Sequence, residues 1–298
     1  MILTRHKCMQ KERIQLNELE NEELIYVYAF LPAQEASSEK ITGIKGIDPN
    51  NEVKFHTRTE LTAVICKVPA TDFAEENFKQ NVENIKWLQQ RASHHHELMN
   101  TLHDKFTILP LKFGTIYENE ERLEQMMSEY YEQMKTILEE VQDKEEWNLK
   151  IYSDPQVFSK KVLEENREIE AKKKEISELS KGKQFFARKK LDQFITDQIK
   201  AETEKKCKEV HDKILKFSQN AEVKKNWEQK VTGRDDEMSW NCVYLMETGE
   251  NVEAFTRLVE EYQKHSVEEN EGLLFESTGP WPAYHFANFK CLTNSVKS

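Results

Sequence analysis

At 298 residues the chain is too long for one small core and short for three domains, so two domains of ordinary size are expected. Charged residues make up 33% and aromatics 10%, which excludes global disorder and points to folded domains carrying very polar helices. A formal net charge of −11 argues against nucleic acid or an anionic membrane as a partner, and leaves proteins as the expected ones.

The charged leader "MILTRHKCMQKERIQL" has no apolar segment of useful length, and no stretch approaches the roughly 18 apolar residues of a bilayer span. A cytoplasmic location is expected. The cysteines, Cys8, Cys66, Cys207, Cys242 and Cys291, are far apart and form no C-x-x-C pair, so neither a disulfide framework nor a thiolate metal site is suggested.

"ELIYVYAFLPA" (23–33) is rich in aromatic and β-branched residues and ends at Pro32, as a core strand does. "EVKFHTRTELTAVICKVPA" (52–70) offers one or two more strands, the clearer at 61–68. There Leu61, Ala63 and Ile65 share one face and Val64, Cys66 and Val68 the other, so cover on both sides is expected. Over 81–105, Ile85, Leu88, Ala92, His95, Met99 and Leu102 recur as the buried stripe of an amphipathic helix. "FTILPLKFGTIY" (106–117) reads as a strand whose internal proline prefers an edge or bulge. A second amphipathic helix spans 119–142 with Leu123, Met126, Met127, Tyr130, Met134, Ile137, Leu138 and Val141 on its apolar side, and is expected to link two domains.

"EWNLKIYSDP" (146–155) alternates Trp147, Leu149 and Ile151 on one face, and Ser153 or Asp154 before Pro155 supplies a helix cap. From 156 to 219 there is no proline and one glycine, Gly182, so this very charged stretch is helical, with "SKGK" (180–183) as its turn. The first arm carries Val162, Ile169, Ile176 and Leu179; the second carries Cys207, Val210, Ile214, Phe217 and Ala221. A further element is expected around 221–231, then a strand at 238–248, a helix at 251–265 and a closing strand region at 272–286. The fold class is therefore α+β, two tandem ferredoxin-like domains: 1–118, a looser version of the layout; 119–145, a linking helix; and 146–298, containing the charged helical hairpin 155–219.

Candidate chemistry is sparse. The three histidines of "SHHHEL" (93–98) fan around a helix and cannot converge on one metal, so His95 is expected to be a core or interface histidine. No phosphate-binding glycine loop and no G-x-S-x-G elbow are present. Cys207 and His211 sit four residues apart, but nothing is placed to orient the histidine, so no catalytic, cofactor-binding or metal site is assigned and the protein is read as a non-enzyme. "KGKQFFARKK" (181–190) puts five basic residues beside Phe185 and Phe186 at the hairpin tip. It reads either as a dock for an acidic partner or nucleic acid, or as a solvated turn with phenylalanines packed across the two helices. In "GPWPAYHF" (279–286), Pro280 and Pro282 each lack an N–H, so a regular ladder is not expected to continue through them. Trp281 is held between them as a clamp over the end of the second domain, with Tyr284 and Phe286 sharing one face.

With these stretches in hand, the sequence resembles the GvpF/GvpL family of gas vesicle proteins over nearly its whole length. "YVYAF" (26–30), "HHHELM", "ILPLKFGTIYENEERL" (108–123), "EWNLKIY" (146–152) and "GPWPAYHF" carry the resemblance, "LPLKFGT" and "GPWP" most specifically. Ala283 departs from the further proline that often follows "GPWP". The chain length favours an L-like member. The resemblance implies a non-catalytic accessory protein of vesicle assembly or nucleation without cofactors, whose partners are the apolar shell protein and other accessory proteins, and which associates with gas vesicles as a minor component. Trp281, Pro280, Pro282, Tyr284, Phe185 and Phe186 are the candidate structural or partner-contact residues. The alternative readings are a coiled-coil scaffold that organises other accessory proteins and a ligand-binding ferredoxin-like module.

Overall fold

Eight consecutive buried side chains, Leu24 to Leu31, make β1 (Glu23–Pro32) a strand that needs cover on both faces. The computed structural model describes residues 22–39 and 41–287, so the leader with Cys8 lies outside the described residues, as does Cys291. These residues divide into two units, 22–143 with 281–287, and 144–280.

In the first unit β1 is followed by α1 (Ala33–Ser38), β2 (Lys54–Arg58), β3 (Leu61–Pro69), α2 (Ala70–Phe73), α3 (Glu75–Asn81) and α4 (Ile85–His103). Then come β4 (Leu109–Pro110), β5 (Ile116–Tyr117), α5 (Glu120–Glu129) and α6 (Tyr131–Val141). All pairings are antiparallel, with order β2-β3-β1-β4 and β5 also beside β1. This is the ferredoxin-like order with the first crossover helix reduced to α1 and loop. The proline-containing segment 106–117 contributes two edge pairings of two residues each, because Pro110 has no N–H to extend a ladder.

One face of the sheet sets Tyr26, Tyr28, Val64 and Cys66 against Leu98, Met99 and Leu102 of α4. Asn84 caps α4 by accepting from Lys86 N and Trp87 N. The helix buries His95, Leu98, Met99 and Leu102, whereas Ile85, expected in the stripe, is 70% exposed in the first turn. The other face of the sheet is covered by α6, packed on β1 and β4, with α5 against β5. Leu123, Met127, Met134, Ile137, Leu138 and Val141 are buried there. Residues 119–145 are thus not one linking helix: they are two helices broken at Tyr130 that complete the first unit, which closes at Asp143. The two-sided burial of β1 and β3 demands this second cover.

The second unit runs β6 (Lys144–Ser153), α7 (Pro155–Glu165), α8 (Arg167–Ser177), α9 (Lys181–Ile214), β7 (Asn220–Val223), α10 (Gln229–Thr232), β8 (Glu237–Glu247), α11 (Glu250–Glu268) and β9 (Leu273–Trp281). Its order, β7-β8-β6-β9, is again that of a split β-α-β fold. Leu149, Ile151, Cys242, Tyr244 and Phe275 of the sheet pack with Phe158, Val162, Ile169, Val210 and Ile214 of the hairpin and Phe255 of α11.

Asp154 starts α7 by accepting from Gln156 N at 2.9 Å and Val157 N at 3.1 Å, with Pro155 in the first turn. The first hairpin arm is interrupted at Asn166, whose extended backbone and side chain, accepting from Glu168 N and Ile169 N, begin α8. The second arm ends at Ile214, earlier than the apolar spacing implied. Ala221, expected on that helical stripe, lies in β7 opposite Tyr244, because an edge strand is needed beside β8.

Candidate protein-binding surface

The histidine run and the part of the closing "GPWPAYHF" from Trp281 onward fall in the first unit, while Gly279 and Pro280 end the second. His95 is 5% exposed, and its Nδ1 lies 2.8 Å from the Tyr26 hydroxyl, which also accepts from Gly114 N at 3.1 Å. With one hydroxyl lone pair taken by Gly114, Tyr26 can donate its proton to Nδ1, and the histidine is then neutral with the hydrogen on Nε2. Tyr28 stacks on the ring at 5.6 Å, and burial pushes the imidazole pKa down to about 4. His95 is a core residue.

His96, next on the helix, faces out and meets the Trp281 ring at 5.5 Å. Trp281 therefore rests on the first unit, not on the end of the second domain as expected. Pro282 is buried while Pro280 is exposed. β9 runs on through Pro280 to Trp281, further than the prolines suggested. Gly279, with φ +154°, has no room for a side chain: a Cβ would lie 2.8 Å from the Trp147 ring and 3.0 Å from the Glu146 carbonyl. After Pro282 the chain turns instead of continuing as strand, with Tyr284 N donating to Pro282 O and Ala287 N to Ala283 O. Tyr284 packs against the first core, and the face it was expected to share with Phe286 does not form. Replacing Trp281 by alanine is expected to cost about 1–2 kcal/mol, read as an earlier urea midpoint, because a half-buried aromatic is lost from a site that can relax. An unchanged midpoint would refute the clamp.

The second unit brings His211 to a cysteine other than the one its spacing in the sequence suggested. Cys207 is buried in the apolar stripe, and His211 instead approaches Cys242, with Sγ and Nδ1 3.8 Å apart and the Tyr244 hydroxyl at 2.8 Å from the same nitrogen. Burial pushes the Cys242 thiol up to about 11 and also lowers the His211 pKa. The thiol stays protonated at neutral pH and is a poor nucleophile. Between α9 and α11 a cleft of 360 Å³ carries Lys206, Glu209, Lys213, Tyr262 and Glu271. These groups satisfy one another: Lys206 and Lys161 reach Glu271 at 2.5 and 3.5 Å, and Lys213 and Tyr262 both bond Glu209. Burial alone would raise the Glu271 pKa, but the hydrogen bond and charge of Lys206, with Lys161 in support, lower it.

The hairpin tip is different. Phe185 and Phe186 are each 71% exposed at the start of α9 and contact each other edge to face at 5.6 Å. They do not pack across the two helices. Leu179 of the preceding turn is exposed too. Around them lie Lys181, Lys183, Arg188, Lys189 and Lys190, and among the described residues none of these cations forms an ion pair. The turn supports such a display because Ser180 begins α9 without a side-chain cap, and Gln184 folds back to donate to Ser177 O and Leu179 O. Exposed aromatic rings ringed by free cations can bury apolar surface and neutralise carboxylates at once.

The family model for the gas vesicle synthesis protein GvpL/GvpF matches residues 24–288. The chain is 23% identical over 270 residues to Gas vesicle protein L of Streptomyces sp. (strain CB03234), covering 90% of this chain and 94% of that protein. It is 21% identical over 216 residues to Gas vesicle protein L of Haloferax mediterranei, covering 70% of this chain and 64% of that protein. Among solved structures it is similar in fold to the gas vesicle protein GvpF of Anabaena sp. PCC7120, with TM-score 0.66 and 17% identity over 90% of this chain and 99% of that one. GvpF of Microcystis aeruginosa gives TM-score 0.58 and 18% identity, over 89% and 99% of the two chains. No described helix is long and apolar enough to cross a membrane. The matched span takes in both units and all the stretches that carried the resemblance, so the chain belongs to the gas vesicle synthesis GvpL/GvpF family, a family of gas vesicle accessory proteins.

Proposed function

We propose that this protein is a non-catalytic assembly factor that binds the apolar shell protein, or other accessory proteins, of gas vesicles through its helical hairpin tip. The observation that carries the reading is the pair of exposed phenylalanines among five free cations in a chain of net charge −11. A shell subunit that adds edge to edge aggregates when released free, and a polar protein that covers its apolar surface keeps it available for nucleation. Phe185 and Phe186 supply apolar contact, and the lysines select a partner surface that carries carboxylates.

The test is capture of shell and accessory proteins by the full chain, co-expressed with the remaining vesicle genes. Phe185→Ser with Phe186→Ser is expected to lower capture about tenfold or more and to reduce buoyant vesicles. The melting temperature should stay unchanged, since neither ring is part of a core. Capture equal to wild type would remove the tip from the mechanism, and normal vesicles in the absence of the protein would remove the assembly role itself.

A further inference from the structure

The sheet edges of the two units are not equally protected. β2 is five residues long and carries Lys54, His56 and Arg58; β4 and β5 have two residues each; β7 has four and carries Glu222. Short and charged edges resist pairing with other chains. β9 has nine residues, "LLFESTGPW", and one charge, Glu276. It is the fourth strand in the order β7-β8-β6-β9, so one of its sides has no strand beside it.

Only the first part of that side is covered, by two side chains of α11. Ser266 Oγ donates to Leu273 O at 2.6 Å and accepts from Leu273 N at 3.1 Å, and Gln263 Oε1 accepts from Phe275 N at 2.7 Å. Gly272 O points the other way, accepting from Asp154 N after the end of β6. In a strand the N–H and C=O of alternate residues point to the same side, so Ser277 presents both of its groups outward, next to the Phe275 carbonyl. Among the described residues no hydrogen bond to these groups is found.

The surroundings define what fits. On the α11 side a cleft of 470 Å³ borders the edge, lined by Val259, Gln263, Val267, Phe275 and Ser277 together with the charged Glu260, Lys264 and Glu268, with Val267 69% exposed. Side chains of a strand alternate, so Glu276 lies on the opposite face, its carboxylate 43% exposed. Glu276 shares Arg234, 3.6 Å away, with Asp236, which holds it at 2.7 and 3.0 Å, and Glu276 also interacts with the Tyr152 hydroxyl.

We propose that the outer edge of β9, from Phe275 to Gly279, receives one extended segment of a partner protein as an added strand, with apolar and basic side chains in alternation. Backbone bonds to Phe275 O and to Ser277 N and O hold the segment. Its apolar side chains enter the cleft beside Val259 and Val267, and its basic ones pass over Glu276. This surface is separate from the hairpin tip and does not depend on what the tip binds.

The probe is an end-capped heptapeptide alternating valine with lysine and threonine, titrated into the full chain by fluorescence anisotropy. Ser277→Pro deletes the outward N–H while sparing the β6 ladder, and Val267→Glu fills the cleft mouth with charge on an exposed helix position. Each is expected to weaken peptide binding about tenfold. Bound peptide should slow hydrogen exchange at Ser277, and N-methylation of the peptide along its β9-facing edge should abolish binding while methylation along the other edge should not. Phe185→Ser with Phe186→Ser should bind the peptide like wild type. Absence of binding to the wild-type chain, equal binding by Val267→Glu, or equal loss on methylating either edge would overturn the proposal. Val267→Glu carries the test if the proline variant fails to fold.

Discussion

Lowering the pH from about 7 to about 5 should destabilise the first unit by about 2 kcal/mol, and most of that loss should disappear in His95→Gln. In the folded chain burial drives the His95 pKa from 6.5 down to about 4. The unfolded chain takes up a proton as pH falls below about 6.5, whereas the folded chain resists protonation until about 4. Stability from this site is therefore full above the unfolded value and is lost as pH falls through the window towards the folded one. His94 and His211 are also lowered by burial and act with the same sign, so the informative quantity is the difference between wild type and His95→Gln. Glutamine keeps an acceptor for the Tyr26 hydroxyl and does not titrate. Urea unfolding midpoints of both proteins at the two pH values measure it, and parallel pH dependences would show that His95 is not the group responsible.

Gly114→Ala should cost about 3 kcal/mol, seen as a lower melting temperature and an earlier urea midpoint with unchanged slope. Gly114 has φ +84°, which an L side chain adopts only under strain. A Cβ there would also lie 2.6 Å from Cζ of Phe78. That ring cannot simply move aside, because Phe73, Trp87 and Phe113 contact it at centroid distances of 6.2, 5.8 and 5.7 Å. The glycine N–H is also the donor to the Tyr26 hydroxyl, so shifting the loop disturbs the His95 contact. Wild-type stability in the alanine variant would refute this account of the glycine in "LPLKFGT".

Much of the architecture was legible wherever burial and local spacing agree. β1, β3, β6, α4 and α11 follow from runs or periodic stripes of apolar residues, and Asp154 before Pro155 marks a helix start by its own chemistry. Elements of two to seven residues, α1 to α3, β4, β5 and β7, lie below the length at which a period can be read, and they depend on neighbours for their hydrogen bonds. The tip was legible as a composition, but the sequence left open whether Phe185 and Phe186 pack inward; the structure exposes both. The outward groups of β9 were invisible, since strand order and the reach of Gln263 and Ser266 from α11 decide which backbone atoms remain uncovered.

By itself the sequence determined the α+β class, the family, the charged hairpin and the residues with an apolar face to bury. Only the tertiary structure decided where each of those faces goes. It placed the stripe of residues 123–141 on the second face of the first sheet and set Trp281 against His96. The physical reason is that an apolar stripe records that a side must be hidden from water, which is a non-directional demand, while the partner that hides it is set by contacts between residues far apart in the chain.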